Sequence, residues 1–240
     1  MLQESSCITH KQYGEIMTDA NISVVIPASY KDSARALKLH DRLQRTTNLF
    51  DIRIKTVPKS FGHRRARIAK ARNVGAQKSF ADNADYVLFL DADVFVAVKE
   101  VNALTAYVRA EKPKGVLGFF IKEDGTLGKT IGARYNQQMG NPEDDPARIG
   151  AMGDCLLVDR TTFHMLDGFS EEFTRPVEFL DLCLRSHLRG YGLSMIPRSV
   201  MTYTMSYRDW VRKLIFGKAM QMLLHARWWD RYVQDTYPSA

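Results

Sequence analysis

Asp91 and Asp93 stand two residues apart in Asp91-Ala92-Asp93, directly after the apolar run Tyr86-Val87-Leu88-Phe89-Leu90. At this spacing in an extended segment, one or both carboxylates can reach a single hard cation such as Mg2+ or Mn2+, which prefers oxygen ligands. A cation held there would neutralise a diphosphate leaving group. A second chemical feature is basic. From Ile52 to Ala81 the chain carries Lys and Arg but no acid, and Lys59, His63, Arg64, Arg65, Arg67, Lys70 and Arg72 crowd a loop-to-helix junction. Such a cluster can bind a diphosphate or an anionic acceptor, or it can be a solvated helix face.

Something must position the two aspartates, and the hydropathy pattern says what. Ile22–Ile26 is a β-branched apolar run ended by Pro27, a buried strand. The next segment, 34–45, has Ala36, Leu39 and Leu43 on one face of a helix. A strand over 51–57, a basic helix over 64–80 and the most apolar strand, 84–90, follow. Beyond the aspartates the pattern predicts a helix at 99–111 and a strand at 115–121. Residues 122–150, rich in Gly, Asn, Asp and Pro, read as a long surface excursion of the kind that carries function. Then come a strand at 155–158, a helix at 177–189, a strand at 193–196 and a Trp- and Arg-rich helix over 208–232. Alternation of strand and helix argues for an α/β fold with a mostly parallel sheet. Ligands bind such sheets beyond the carboxyl ends of the strands, where Asp91 and Asp93 lie.

Composition sets the outer limits. The chain has 240 residues, 45% of them hydrophobic and 25% charged, which suits one generous globular domain and excludes a collagen-like, coiled-coil or disordered chain. No apolar run reaches the roughly 18–20 residues of a membrane span. Residues 1–20 are polar and aperiodic, which predicts a loosely held tail without the apolar core of a signal peptide. Cys7, Cys155 and Cys183 form neither a disulfide framework nor a zinc site, and a reducing, cytoplasmic compartment is expected. The net charge of +7, from 34 basic and 27 acidic residues, points to an anionic partner. No nucleic-acid-binding pattern accompanies it, so no nucleic acid is expected.

Taken together, four segments resemble the family 2 glycosyltransferases, inverting enzymes of the GT-A fold. Ile22–Tyr30 is similar to their opening strand and nucleotide loop, and Ala71-Arg72-Asn73-Val74-Gly75 to their Ala-Arg-Asn-x-Gly segment. Leu88–Asp93 resembles their Asp-x-Asp strand. Asp167–Phe173 followed by Val177–Arg185 resembles their acceptor-side elements. The resemblance implies a GT-A-like, Rossmann-related sheet flanked by helices, spanning about 21–205, with the nucleotide-sugar half at 21–121 and the acceptor half at 122–205. A C-terminal amphipathic helical segment, 206–240, would complete the chain. It also implies transfer of a sugar from a nucleoside-diphosphate sugar to the hydroxyl of a saccharide, a lipid-linked or another acceptor.

Carried over residue by residue, Pro27, Ala28, Ser29 and Tyr30 would lie against the nucleobase, and Arg72 and Asn73 would belong to the donor site. Asp91 would contact the ribose or a metal-bound water, and Asp93 would ligate Mn2+ or Mg2+ directly. The family pattern has an acid where Phe179 stands, so the base falls to Glu178, with Asp181 next; Asp181 could equally serve the helix dipole. Strand 51–57 has its only acid, Asp51, at the start, which leaves the nucleobase open. No His stands in Met201-Thr202-Tyr203-Thr204, where the family often has one completing the metal site, so Tyr203 or water would fill that place. Aromatic and basic residues interleaved over 208–232 suit either peripheral contact at the inner membrane face or packing on the core or a partner subunit.

Two rival readings use the same residues. In a haloacid-dehalogenase-like phosphatase, Asp91 would be a nucleophile and Met152-Gly153-Asp154 a later metal motif. The lack of an acid at Phe179 would also suit a nucleotide-sugar-binding module without catalysis.

Overall fold

Strands whose alternate residues are all apolar have to be covered on both faces, and this requirement organises the molecule. The computed structural model describes residues 20–28, 33–46, 50–56, 66–92, 94–123, 155–173 and 177–203. In chain order the elements are β1 (Ile22–Ala28), α1 (Ser33–Thr46), β2 (Phe50–Thr56), α2 (Ala66–Ala81), β3 (Tyr86–Leu90), β4 (Val94–Phe95) and α3 (Val98–Glu111). After them come β5 (Val116–Glu123), β6 (Cys155–Asp159), α4 (Arg160–Met165), α5 (Val177–Leu188) and β7 (Leu193–Tyr203). The strands form one seven-stranded sheet in the order β2-β1-β3-β6-β5-β7-β4.

Two apolar layers sandwich this sheet. On one face Val24, Ile26, Leu88, Leu90 and Leu157 meet Ala36, Leu39 and Leu43 of α1 and Val101, Leu104 and Val108 of α3. On the other, Val25, Val87, Phe89, Leu156 and Val158 meet Ala69, Ala76 and Phe80 of α2 and Phe179, Leu182 and Cys183 of α5. The period-2 alternation along each strand sorts the residues between the layers. Cys155 and Cys183 are buried and not joined in a disulfide, as expected of small apolar side chains.

The expected mostly parallel sheet is a mixed one. β1 runs parallel to both β2 and β3, and β5 parallel to β7. β6, however, is antiparallel to β3 and to β5, and β4 is antiparallel to β7. Apolar content cannot reveal this, because a strand buried on both faces looks the same in either direction. The last strand also runs longer than expected. Its register against β5 jumps from Gly118↔Met195 to Phe120↔Val200, so a bulge containing Pro197 splits it. Proline cannot donate to a ladder, which explains both the break and the early end predicted for the strand.

Helix α4, absent from the sequence reading, is a six-residue turn set up by its N-cap: the Asp159 carboxylate accepts from Thr162 N at 3.1 Å. Of the excursion expected over 122–150, Lys122 and Glu123 belong to β5; its remainder, residues 1–19, the nucleotide-loop residues Ser29 and Tyr30, and residues 204–240 lie outside the described residues. Among the described residues, no helix is long and apolar enough to cross a membrane.

Candidate active site

The chain leaves β1 for β2 on one side and returns to β3 on the other, so β1 and β3 flank the point where strand order reverses. Ligands bind open α/β sheets at such a point. Val25 lies opposite Phe89, so the two strands end side by side. Ala28 and Pro27 close β1 and are buried, and Asp91 follows β3 and is buried as well. Asp93 lies outside the described residues. The backbone of Val94, the next residue, pairs with Tyr203, which brings the end of β7 to the Asp-x-Asp turn.

Alternation decides where Asp91 points. Val87 and Phe89 belong to the α2 and α5 layer, and Asp91 continues their face. There it meets Arg72 of α2, whose Nη2 donates to Asp91 Oδ1 at 2.7 Å. The other terminal nitrogen, Nη1, donates to Glu178 Oε1 of α5 at 2.5 Å. The guanidinium is fully buried (0% exposed), and its two carboxylates are nearly so, at 3% and 1%. A charge in such a place needs partners of opposite sign and good geometry. Aromatic rings supply further stabilisation: the Phe179 ring centre lies 4.1 Å from the guanidinium carbon and that of Phe169 5.5 Å. Phe169 in turn stands edge-on to Phe89 at 4.9 Å and to Phe179 at 5.5 Å.

Arg72, expected in the donor site, lies between these two carboxylates. Its terminal nitrogens are engaged by two carboxylates, and its side chain is buried with theirs. A sequence signal for this exists: Arg72 falls in the same helical stripe as Ala69, Ala76 and Phe80 of the buried face. Asn73 is similarly engaged. Its Nδ2 donates to Phe169 O at 2.9 Å, and its Oδ1 accepts from Phe169 N at 2.8 Å.

Glu178 and Asp181, three residues apart on α5, part ways. Glu178 joins Arg72 and through it Asp91. Asp181 accepts from Arg185 Nε at 2.8 Å, one turn along the helix. Arg185 then donates to the carbonyls of Leu166 and Gly168, the latter at 2.8 Å. Asp181 and Asn73 therefore brace the same turn, 166–169, from two sides. The sequence reading missed Phe169 and Phe179 as walls of the Arg72 cradle.

Carboxylate oxygens are the donors that Mn2+ and Mg2+ prefer, so the Asp-x-Asp pair fits such a cation chemically. Among the described residues, no group of three or more His, Cys, Asp or Glu is gathered to hold a metal.

The model of Glycosyl transferase family 2 matches residues 23–165, more than half of the chain. The chain belongs to glycosyl transferase family 2. Solved structures of similar fold are glycosyltransferases too. The mannosyltransferase PcManGT of Pyrobaculum calidifontis, solved with GDP-Man and Mn2+, is 13% identical with a TM-score of 0.60, over 84% of this chain and 61% of its own. The catalytic domain of Drosophila β1,4-galactosyltransferase 7, solved with xylobiose, is 16% identical with a TM-score of 0.53, over 79% and 72%. Residues 1–349 of S. aureus TarS, solved with UDP-GlcNAc, are 12% identical with a TM-score of 0.52, over 78% and 59%. The family 2 chain thus spans about three fifths of the PcManGT and TarS chains. At these identities the likeness is one of fold. No curated protein sequence matches the family 2 chain.

Proposed function

We propose that the chain is a metal-dependent inverting glycosyltransferase that moves a sugar from a nucleoside-diphosphate sugar to the hydroxyl of a saccharide, lipid-linked or other acceptor. The observation that carries this reading is the placement of Asp91 at the carboxyl end of β3, beside β1, with Glu178 joined to it through Arg72. Family membership and the nucleotide-sugar complexes of fold relatives support it.

In this reading Asp93 ligates Mn2+ or Mg2+, and Asp91 contacts the ribose or a metal-bound water. When bound, the cation supplies charge neutralisation for the diphosphate as it departs. The end of β1, with Ser29 and Tyr30 beyond it, walls the nucleobase. Glu178 takes the proton of the acceptor hydroxyl. The acceptor oxygen then bonds to the anomeric carbon while the bond from that carbon to the diphosphate oxygen breaks, its electron pair leaving with the phosphate. One displacement inverts the anomeric centre. Aromatic and basic residues at 208–232 suit peripheral contact with the inner face of a membrane, where a lipid-linked acceptor would be met.

The family assignment removes the reason to read Asp91 as a phosphatase nucleophile. Phe179, whose lack of an acid suited a non-catalytic module, has a different use as the ring beneath Arg72. The test is release of nucleoside diphosphate from a panel of UDP-, GDP-, CDP-, ADP- and dTDP-sugars with Mn2+ and with EDTA. Metal-dependent turnover of one donor, abolished by Asp93→Ala in a chain that still melts cooperatively, is expected. Turnover unchanged by Asp93→Ala would remove the metal assignment.

A further inference from the structure

We propose that Arg72 is a positioning residue that couples the donor side of the site to the acceptor side, so that metal–diphosphate binding at Asp91 and the orientation of Glu178 are one event. The inference rests on the glycosyltransferase reading and goes beyond it. It assigns a function to a residue whose two terminal nitrogens are both held by carboxylates.

Three observations support it. First, the bridge is made by two different nitrogens of one rigid plane, Nη2 to Asp91 at 2.7 Å and Nη1 to Glu178 at 2.5 Å. The guanidinium cannot shift toward one carboxylate without changing its contact with the other. Second, the plane is held from outside the pair. Phe179 lies 4.1 Å from the guanidinium carbon, and Phe169, on the other wall, is fixed through its backbone by Asn73. Third, the bridge links distant parts of the chain. Glu178 belongs to the acceptor-side helix α5, 106 residues beyond Arg72. One cation shared by two carboxylates makes each carboxylate's grip depend on the other, and a cation arriving beside Asp91 enters the same balance. Phe179, standing where the family pattern has an acid, keeps the guanidinium in place without adding a third negative charge.

Calorimetric titration of the full chain with Mn2+ plus UDP, GDP, CDP, ADP or dTDP tests the coupling in wild type, Glu178→Gln, Arg72→Lys and the double variant. Glu178→Gln keeps the side-chain shape, and is expected to weaken diphosphate affinity about tenfold although Glu178 is on the acceptor side. Arg72→Lys, whose single ammonium cannot reproduce the two-pronged bridge, should weaken it at least as much. The double variant should be no weaker than Arg72→Lys alone.

A merely structural role would lower the melting temperature of each variant and leave affinity unchanged. Wild-type affinity in Glu178→Gln, or effects that multiply in the double variant, would overturn the coupling. Should Arg72→Lys not melt cooperatively, the affinity of Glu178→Gln decides alone. A wild-type chain that binds none of UDP, GDP, CDP, ADP and dTDP with Mn2+ would overturn the site reading and the coupling with it.

Discussion

Asn73 holds the backbone of Phe169 with both groups of its side-chain amide, at 2.9 and 2.8 Å across 96 residues of sequence. This clamp fixes the turn that carries one aromatic wall of the Arg72 cradle. Asn73→Ala leaves a backbone N–H and a carbonyl at a half-buried position without these partners. A loss of about 2–3 kcal/mol in denaturant unfolding is expected. A loss below about 0.5 kcal/mol, the scale of an ordinary surface change, would show that the turn stands without the clamp.

Two tightly packed glycines should differ in cost. Gly168 sits at φ +65°, and an added Cβ would lie 2.7 Å from Asn73 Oδ1, the atom that accepts from Phe169 N, so it would press on the clamp. Gly115 sits at φ +101°, and its Cβ would lie 2.1 Å from the carbonyl oxygen of Gly192, which is backbone in the neighbouring chain segment. Gly168→Ala should cost at least about 1–2 kcal/mol, the usual penalty of the left-handed region, with part of the Asn73 clamp lost in addition. Gly115→Ala should cost more, because β5 must move away from the start of β7. Thermal or urea unfolding would show the order, and equal costs would contradict it.

Much of this architecture could be read from apolar runs. Ile22–Ile26 and Tyr86–Leu90 announce strands buried on both faces, and the Ala36, Leu39 and Leu43 stripe of α1 is buried as its spacing requires. The direction of β6 was hidden, because Cys155-Leu156-Leu157-Val158 carries no alternation that orients it. Arg72 was legible as part of a family-like segment, while its two carboxylate partners were not. A positive charge on a basic helix resembles a diphosphate ligand until its partners are known, and Glu178 is brought to it only by the folding of α5 onto α2. Phe179 looked like the loss of an acid, yet what the position supplies is a ring for the guanidinium.

The two carboxylates of α5 should separate in kinetics. Glu178→Gln, measured at saturating donor, should lower turnover about 10²-fold or more, the usual contribution of a general base. Asp181→Asn should leave turnover largely intact and lower the melting temperature, since Asp181 orients Arg185 toward the 166–168 turn. Loss of turnover in Asp181→Asn with none in Glu178→Gln would move the base to Asp181.

At alkaline pH, Tyr86 should weaken the fold. Burial, with Asp159 and Asp85 nearby, pushes its pKa from 10.0 up to about 12, and its hydroxyl donates to Pro113 O at 3.1 Å. Between those values the unfolded chain releases a proton that the folded chain keeps, so this contribution is complete below pH 10 and is lost as pH rises toward 12. The loss should amount to about 2 kcal/mol. Tyr86→Phe should show a shallower decline in melting temperature across that window, and an identical decline would contradict the assignment.

The central claim, a nucleotide-sugar site built at the end of β3, is tested most directly by melting the full chain with UDP, GDP, CDP, ADP or dTDP, each with Mn2+ and with EDTA. A diphosphate at about 100 times its dissociation constant adds roughly 2.7 kcal/mol, several degrees for a chain of this size. Stabilisation by one diphosphate, present with Mn2+ and lost with EDTA, is the expected result and would name the nucleotide. No stabilisation by any of the five with Mn2+ would contradict it.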